Sequence, residues 1–97
     1  MNQKIIVQTT VPDFSTCEKI SHILFQEKLC ACIQYHPMNS IYLWKNKLNN
    51  DNELILTIKT VSTHYKKIEA LILKHHPYET PEIICFLIQD GYSKYLE

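Results

Sequence analysis

The sequence predicts an α+β domain: a ferredoxin-like, split βαβ sandwich whose antiparallel sheet carries both helices on one face. Three observations predict it. The chain has 97 residues, the length of a single domain spanning 1–97. Apolar residues switch between strand-like and helix-like spacing in the order β-α-β-β-α-β. The two central strands are separated only by a polar, turn-rich run, so they form one long hairpin.

Residues 4–11 mix Ile, Val and Thr and read as the first strand. Pro12 and Asp13 break it. Asp13 can cap the following helix, and Ser15 with Glu18 offers a competing capping box. From Phe14 to Lys28, Cys17, Ile20, Ile23, Leu24 and then Ala31 fall near one helical face. Residues 30–45 read as a long strand, with Pro37 and Asn39 predicting a bend or bulge. Ile41 and Leu43 alternate there with Tyr42 and Trp44. The polar stretch 46–52 is read as the turn, and residues 53–61 as the return strand, with Leu54, Leu56 and Ile58 on one face. Ser62 or Thr63 caps a second helix that runs to His76, its apolar side built on Ile68, Leu71, Ile72 and His75. Residues 82–89 are almost continuously apolar, which predicts a strand buried on both faces. Gly91, the only glycine, marks a turn, and Tyr92, Tyr95 and Leu96 give a short C-terminal helical turn.

Two helices on one face leave the other sheet face uncovered. Tyr42, Trp44, Ile55 and Thr57 are candidates for it. A domain this small buries only roughly 60–65% of its unfolded surface, so a bare, partly apolar face predicts self-association.

Composition narrows the function. The formal net charge is zero, 45% of residues are apolar, and all ten basic residues are lysine. Arginine's planar fork is the usual reader of phosphates and guanine edges, so its absence argues against nucleic acid as a partner. No apolar run approaches the ~20 residues of a membrane helix. Ile5-Ile6-Val7 is too short for a signal peptide, so the four cysteines are expected as reduced thiols in the cytoplasm. One glycine cannot build a phosphate loop. No nucleophile–base pairing stands out either, so the chain is not expected to be an enzyme.

Five segments in order carry a resemblance to a known family. Thr10-Val11-Pro12-Asp13 follows the first strand. The second is Glu27-Lys28-Leu29-Cys30-Ala31-Cys32-Ile33, and the third runs from Ser40-Ile41-Tyr42 through Trp44 to Leu48. The fourth spans Glu53 to Lys59-Thr60. The fifth, and the most specific, is Lys74-His75-His76-Pro77-Tyr78-Glu79-Thr80-Pro81-Glu82. Together they resemble the CutA-like, divalent-cation-tolerance proteins across nearly the whole chain. The resemblance implies a compact homotrimer with hairpins clasping neighbouring subunits, and a link to tolerance of copper and other divalent cations. Three positions depart from the family pattern. Asn46 replaces a usual glycine, though Asn tolerates a left-handed backbone. Thr9 replaces a cysteine offered elsewhere as a copper ligand. The sequence also stops just after Leu96, where relatives continue with a longer final helix.

His75 and His76 are the candidate metal ligands, since imidazole suits copper and zinc. Histidine at a helix C-terminus also serves as a dipole-compensating cation or cap. Cys30 and Cys32, two apart in a strand, share a face and suit either a soft monovalent ion or the core. Tyr42, Trp44, Lys59, Tyr78 and Glu79 form a candidate inter-subunit cleft or interface, with Lys59 and Glu79 as polar anchors. No cofactor is obligatory on this reading; copper or another divalent cation is the candidate ligand. The leading expectation is a non-enzymatic trimer that binds copper or related ions weakly. The alternatives are a small-molecule sensor similar to PII-type signalling trimers and a structural partner-binding trimer.

Overall fold

Eight elements follow one another in the computed structural model, which describes residues 2–97. β1 (Lys4–Val11) leads into α1 (Phe14–Gln26). β2 (Cys32–Trp44) and β3 (Lys47–Val61) form a long hairpin. A single 3-10 turn at Ser62–His64 introduces α2 (Tyr65–His75), followed by β4 (Ile83–Leu87) and the one-turn α3 (Ser93–Leu96). The sheet order is β2-β3-β1-β4, antiparallel throughout. This is the predicted ferredoxin-like arrangement.

Register fixes which residues are core. Val7 pairs with Ile58, Thr9 with Leu56 and Val11 with Leu54, so odd positions of β1 and even positions of β3 share one face. Cys17, Ile20 and Leu24 of α1 and Ile68 and Ile72 of α2 pack down on that face. Asp13 is the cap of α1: its Oδ1 accepts the Thr16 N–H at 2.8 Å. That bond holds the Asp13 carboxyl below its usual range.

Four local expectations are corrected. First, α1 ends at Gln26 rather than Lys28. Lys28 adopts φ 58°. The Leu29 N–H bonds Leu24 O at 2.9 Å and the Lys28 N–H bonds Phe25 O at 3.0 Å, closing the helix with a Schellman turn whose left-handed residue is lysine. Leu29 and Leu24 are both buried and complete its apolar contact. Ala31 consequently lies beyond the helix and is exposed.

Second, the hairpin turn is far tighter than expected. β3 begins at Lys47, and only Lys45 and Asn46 turn, with φ 51° and 63°. This is the two-residue, left-handed turn that matches strand twist. Asn46 keeps the left-handed conformation that its amide side chain tolerates. The polarity of residues 47–52 suggests a turn. They are strand because this end of the hairpin projects past the helices, where neither face has to be apolar.

Third, no bulge interrupts β2. Pairing runs unbroken from Cys32↔Lys59 through Pro37↔Leu54 to Trp44↔Lys47. β2 is an edge strand, where a missing N–H on the outer side breaks no ladder bond. Cys30 lies before the strand, so the two thiols are not strand neighbours as expected.

Fourth, β4 is not buried on both faces. It is the opposite edge, paired only with β1, and Ile84 through Leu87 are exposed. Cys85, expected in the core, is exposed, whereas Cys17 is fully buried.

The uncovered face is the one predicted. Tyr42 and Trp44 lie on it together with Ile55 and Thr57, and Ile84 and Phe86 join them from β4. Trp44 is 62% exposed, and Leu43 and Leu48 on the opposite side of the hairpin are each 73% exposed. The molecule measures 45 × 26 × 22 Å, with its long axis drawn out by the hairpin.

Candidate functional site

Where the hairpin leaves the body of the domain, the chain between α2 and β4 crosses toward the bare sheet face and encloses an open cleft of about 930 Å³. Tyr42 and Trp44 come from β2, and Asp51 and Glu53 from β3. Tyr78, Glu79 and Glu82 come from the crossing segment. Even positions of β2 and odd positions of β3 share this face, which is why two aromatic rings and two carboxylates converge from one hairpin.

Hydroxyls and carboxylates pair within the cleft. Tyr78 Oη donates to Glu53 Oε2 at 3.2 Å, and Tyr42 Oη donates to the Asp51 carboxylate. Gln8 Nε2 donates to Glu82 Oε2 at 2.8 Å. Partial burial, then the Glu53 carboxylate, pushes the Tyr78 phenol up to about 12. The hydrogen bond to Asp51 raises Tyr42 as well. Both phenols therefore stay neutral donors at physiological pH, and the cleft is acidic.

His76 supports this wall from beneath. Helix α2 ends at His75 because Pro77 cannot continue it. The side chain of His76 then folds into the core and is 8% exposed. Its Nε2 lies 2.7 Å from the Thr10 carbonyl oxygen, and its Nδ1 accepts the Tyr78 backbone N–H at 3.1 Å. A carbonyl can only accept and an amide N–H can only donate. The ring is therefore the neutral Nε2–H tautomer, with neither nitrogen free. Its ring also packs against Tyr78 at 4.8 Å. The expectation that His76 presents a lone pair to a metal is corrected on this geometry: both nitrogens serve the chain's own backbone. His75 is half-buried at the end of α2, and neither histidine lines the cleft.

The structure thus brings together Tyr42, Trp44, Tyr78 and Glu79, four of the five residues named for a cleft or interface, and adds Asp51, Glu53 and Glu82. The sequence reading placed Asp51 in a loop and so missed it. Period-2 alternation through 49-51-53 was the available signal. Lys59 does not belong to the cleft. It lies toward the far end of β3, where its Nζ donates to Tyr95 Oη at 2.8 Å and sits 5.2 Å from the centroid of that ring. Cys30 and Cys32 are also at that end, and burial pushes the Cys30 thiol up to about 11. Among the described residues, no three His, Cys, Asp or Glu side chains converge closely enough to hold a metal ion.

Comparison with known proteins places this geometry. The family model for the CutA1 divalent ion tolerance protein matches residues 5–97. The chain belongs to the CutA1 family. A divalent-cation tolerance protein CutA of Yersinia pestis (strain Pestoides F) is 34% identical over 93 residues, covering 95% of this chain and 78% of the relative. Among solved structures, CutA1 from the psychrotrophic bacterium Shewanella sp. SIB1 matches with a TM-score of 0.92 and 37% identity, over 97% of this chain and 89% of that one. CutA1 from Oryza sativa matches with a TM-score of 0.92 and 33% identity, over 97% and 87%. A CutA of Archaeoglobus fulgidus, described as periplasmic, matches with a TM-score of 0.92 and 27% identity, over 96% and 91%. The CutA1 fold is therefore shared across nearly the whole chain, and the family is named for divalent-ion tolerance rather than for a reaction. Among the described residues, no helix is long and apolar enough to cross a membrane.

Proposed function

We propose that this CutA1 chain is a non-enzymatic, homotrimeric divalent-cation tolerance protein that binds cations weakly, copper among them. The observation that carries the reading is the acidic, tyrosine-walled cleft at the root of the projecting hairpin. Asp51, Glu53, Glu79 and Glu82 supply negative charge and oxygen donors there. With no three ligands converging among the described residues of one chain, a divalent ion would keep part of its water shell, which favours low affinity. Any nitrogen- or oxygen-bearing site tends to prefer copper among the divalent first-row ions, so copper is the ion expected to bind best. His75, which lies outside the cleft at the end of α2, is proposed as a separate nitrogen ligand. His76 would have to release Thr10 and Tyr78 first.

Assembly is proposed on the hairpin and the adjoining end of the bare sheet face. Tyr42 and Trp44 on one side of the hairpin, and Leu43 and Leu48 on the other, are apolar surfaces that a lone 11.5 kDa domain would otherwise leave in water. Four free cysteines are consistent with the reducing cytoplasm, and cell fractionation separates that location from the periplasm.

The test is calorimetric titration of the reduced protein with copper, zinc and magnesium, alongside sedimentation equilibrium. Weak copper binding that falls in Glu53→Gln and Glu79→Gln variants, on a 3:1 assembly, supports the reading. A folded monomer, or copper binding indifferent to both carboxylates and to His75→Ala, overturns it. The PII-type, small-molecule reading has one observation of its own, a second cleft walled by lysines.

A further inference from the structure

That second cleft lies at the opposite end of the same sheet face. The loop between α1 and β2 forms one wall and α3 the other, and the space between them is about 400 Å³. We propose that it binds a small organic carboxylate with an apolar body.

The walls suit such a ligand. Leu29, Val61, Ile88 and Leu96 supply apolar surface. Lys4, Lys28 and Lys59 bring three ammonium groups, set against one acidic residue, Glu97. Among the described residues the one ion pair, Lys66 with Glu69, lies elsewhere, and none of the three lysines is in an ion pair there. Lys59 is held in place by the Tyr95 hydroxyl at 2.8 Å. A neutral acceptor fixes an ammonium without cancelling its charge, so an anion meets a positioned cation and little ordering remains to be done. The bond to Tyr95 also raises the Lys59 pKa, which keeps the group charged. Cys30, pushed to about 11, faces the cavity as a neutral thiol and does not repel an anion.

The chemistry favours a carboxylate over a phosphate. Lysines act as point charges, whereas phosphate sites typically add arginine forks, glycine-rich backbone cradles or helix N-termini. Neither an arginine nor a glycine lines the cavity, and the one helix start that borders it, at His64, precedes α2 without a side-chain cap. A mainly apolar cavity with a few convergent polar groups, of this volume, is the ordinary form of a small-molecule site. This inference rests on the lysine cleft alone and stands or falls separately from cation binding in the acidic cleft.

The experiment titrates the intact, assembled protein with sodium octanoate and sodium benzoate, followed by methyl and aromatic NMR. Saturable binding is expected, with shifts at Leu29, Val61, Leu96 and Tyr95 and none at Trp44. Lys59→Met should weaken it by about tenfold or more, since a positioned charge is lost. Lys94→Met, outside the cavity, should leave it unchanged, and added salt should weaken it. Both variants are first checked for native assembly by sedimentation. The proposal fails if neither carboxylate saturates by about 10 mM, a threshold near the weakest specific affinities. It fails equally if 1-octanol binds as well as octanoate, if inorganic phosphate does, or if folded Lys59→Met binds like the parent.

Discussion

Replacing Thr9 by valine should stabilise this protein. Thr9 sits in the middle of β1, paired with Leu56 on one side and Ile83 on the other, and it is completely buried. Its Oγ1 has no hydrogen-bond partner among the described residues. A buried hydroxyl with no partner costs about 1–3 kcal/mol of desolvation. Valine has nearly the same shape and the same β-branching, so it opens no cavity and fits the strand equally well. The substitution should therefore recover about 1–2 kcal/mol. For a domain of this size, each 1 kcal/mol corresponds to roughly 4–8 °C in Tm. The assay is guanidinium or thermal unfolding at matched protein concentration, because assembly makes apparent stability depend on concentration. Thr9→Ser is the control. It keeps the hydroxyl and loses a methyl, so it should cost about 1 kcal/mol. If Thr9→Val destabilises by 1 kcal/mol or more while Thr9→Ser is neutral, the hydroxyl has a partner and the reasoning is wrong.

Three further outcomes are expected. His76→Ala removes two backbone hydrogen bonds and strands the buried Thr10 carbonyl, so chemical denaturation should show a loss of about 2–4 kcal/mol, partly restored by His76→Gln. Lys28→Gly relieves a left-handed lysine at the end of α1; after glycine's extra unfolded-state entropy, a gain of about 0.5–1 kcal/mol should appear in the same assay. The Tyr78 phenol, at about 12 when folded, lies above an unfolded value of about 10, so the native state holds its proton longer. That contribution is complete below about pH 10 and is lost as pH rises through about 12. Absorbance titration at alkaline pH should show one late-ionising tyrosine fewer in Tyr78→Phe, and that variant should lose less stability between those limits.

The architecture was legible because each element had a local cause. Alternation in 4–11 and 54–58, the Asp13 cap and the helical spacing through Ile20 and Leu24 all act within a few residues of themselves. The errors share a different cause. Residues 47–52 and Ile84–Leu87 were judged by polarity, which reports burial in the finished assembly rather than strand pairing. The first are polar strand beyond the reach of the helices. The second are apolar yet lie at a sheet edge, where one chain alone covers little of them. Their apolar character points instead to coverage by a neighbouring copy, in keeping with the proposed assembly.

The site was legible in its residue types and not in its partners. Tyr42, Trp44 and Tyr78 attract attention in any sequence, but what they face depends on register and on the path of residues 76–82. Lys59 and Glu79 look interchangeable as polar anchors until the register of β3 and the path of residues 76–82 put them in separate clefts. His76 makes the point most sharply. Its imidazole has real affinity for metals, and adjacency to His75 suggests a chelate. Yet Pro77 forces α2 to stop there, which leaves the Tyr78 N–H without a helical acceptor and the ring within reach of the Thr10 carbonyl. Two backbone groups, the buried Thr10 carbonyl and the partly buried Tyr78 N–H, claim both nitrogens. A histidine is a ligand only where the chain has no need of it. Here the chain needs it at the point where helix, first strand and cleft wall meet, so the cation-binding reading rests on the carboxylates beside it.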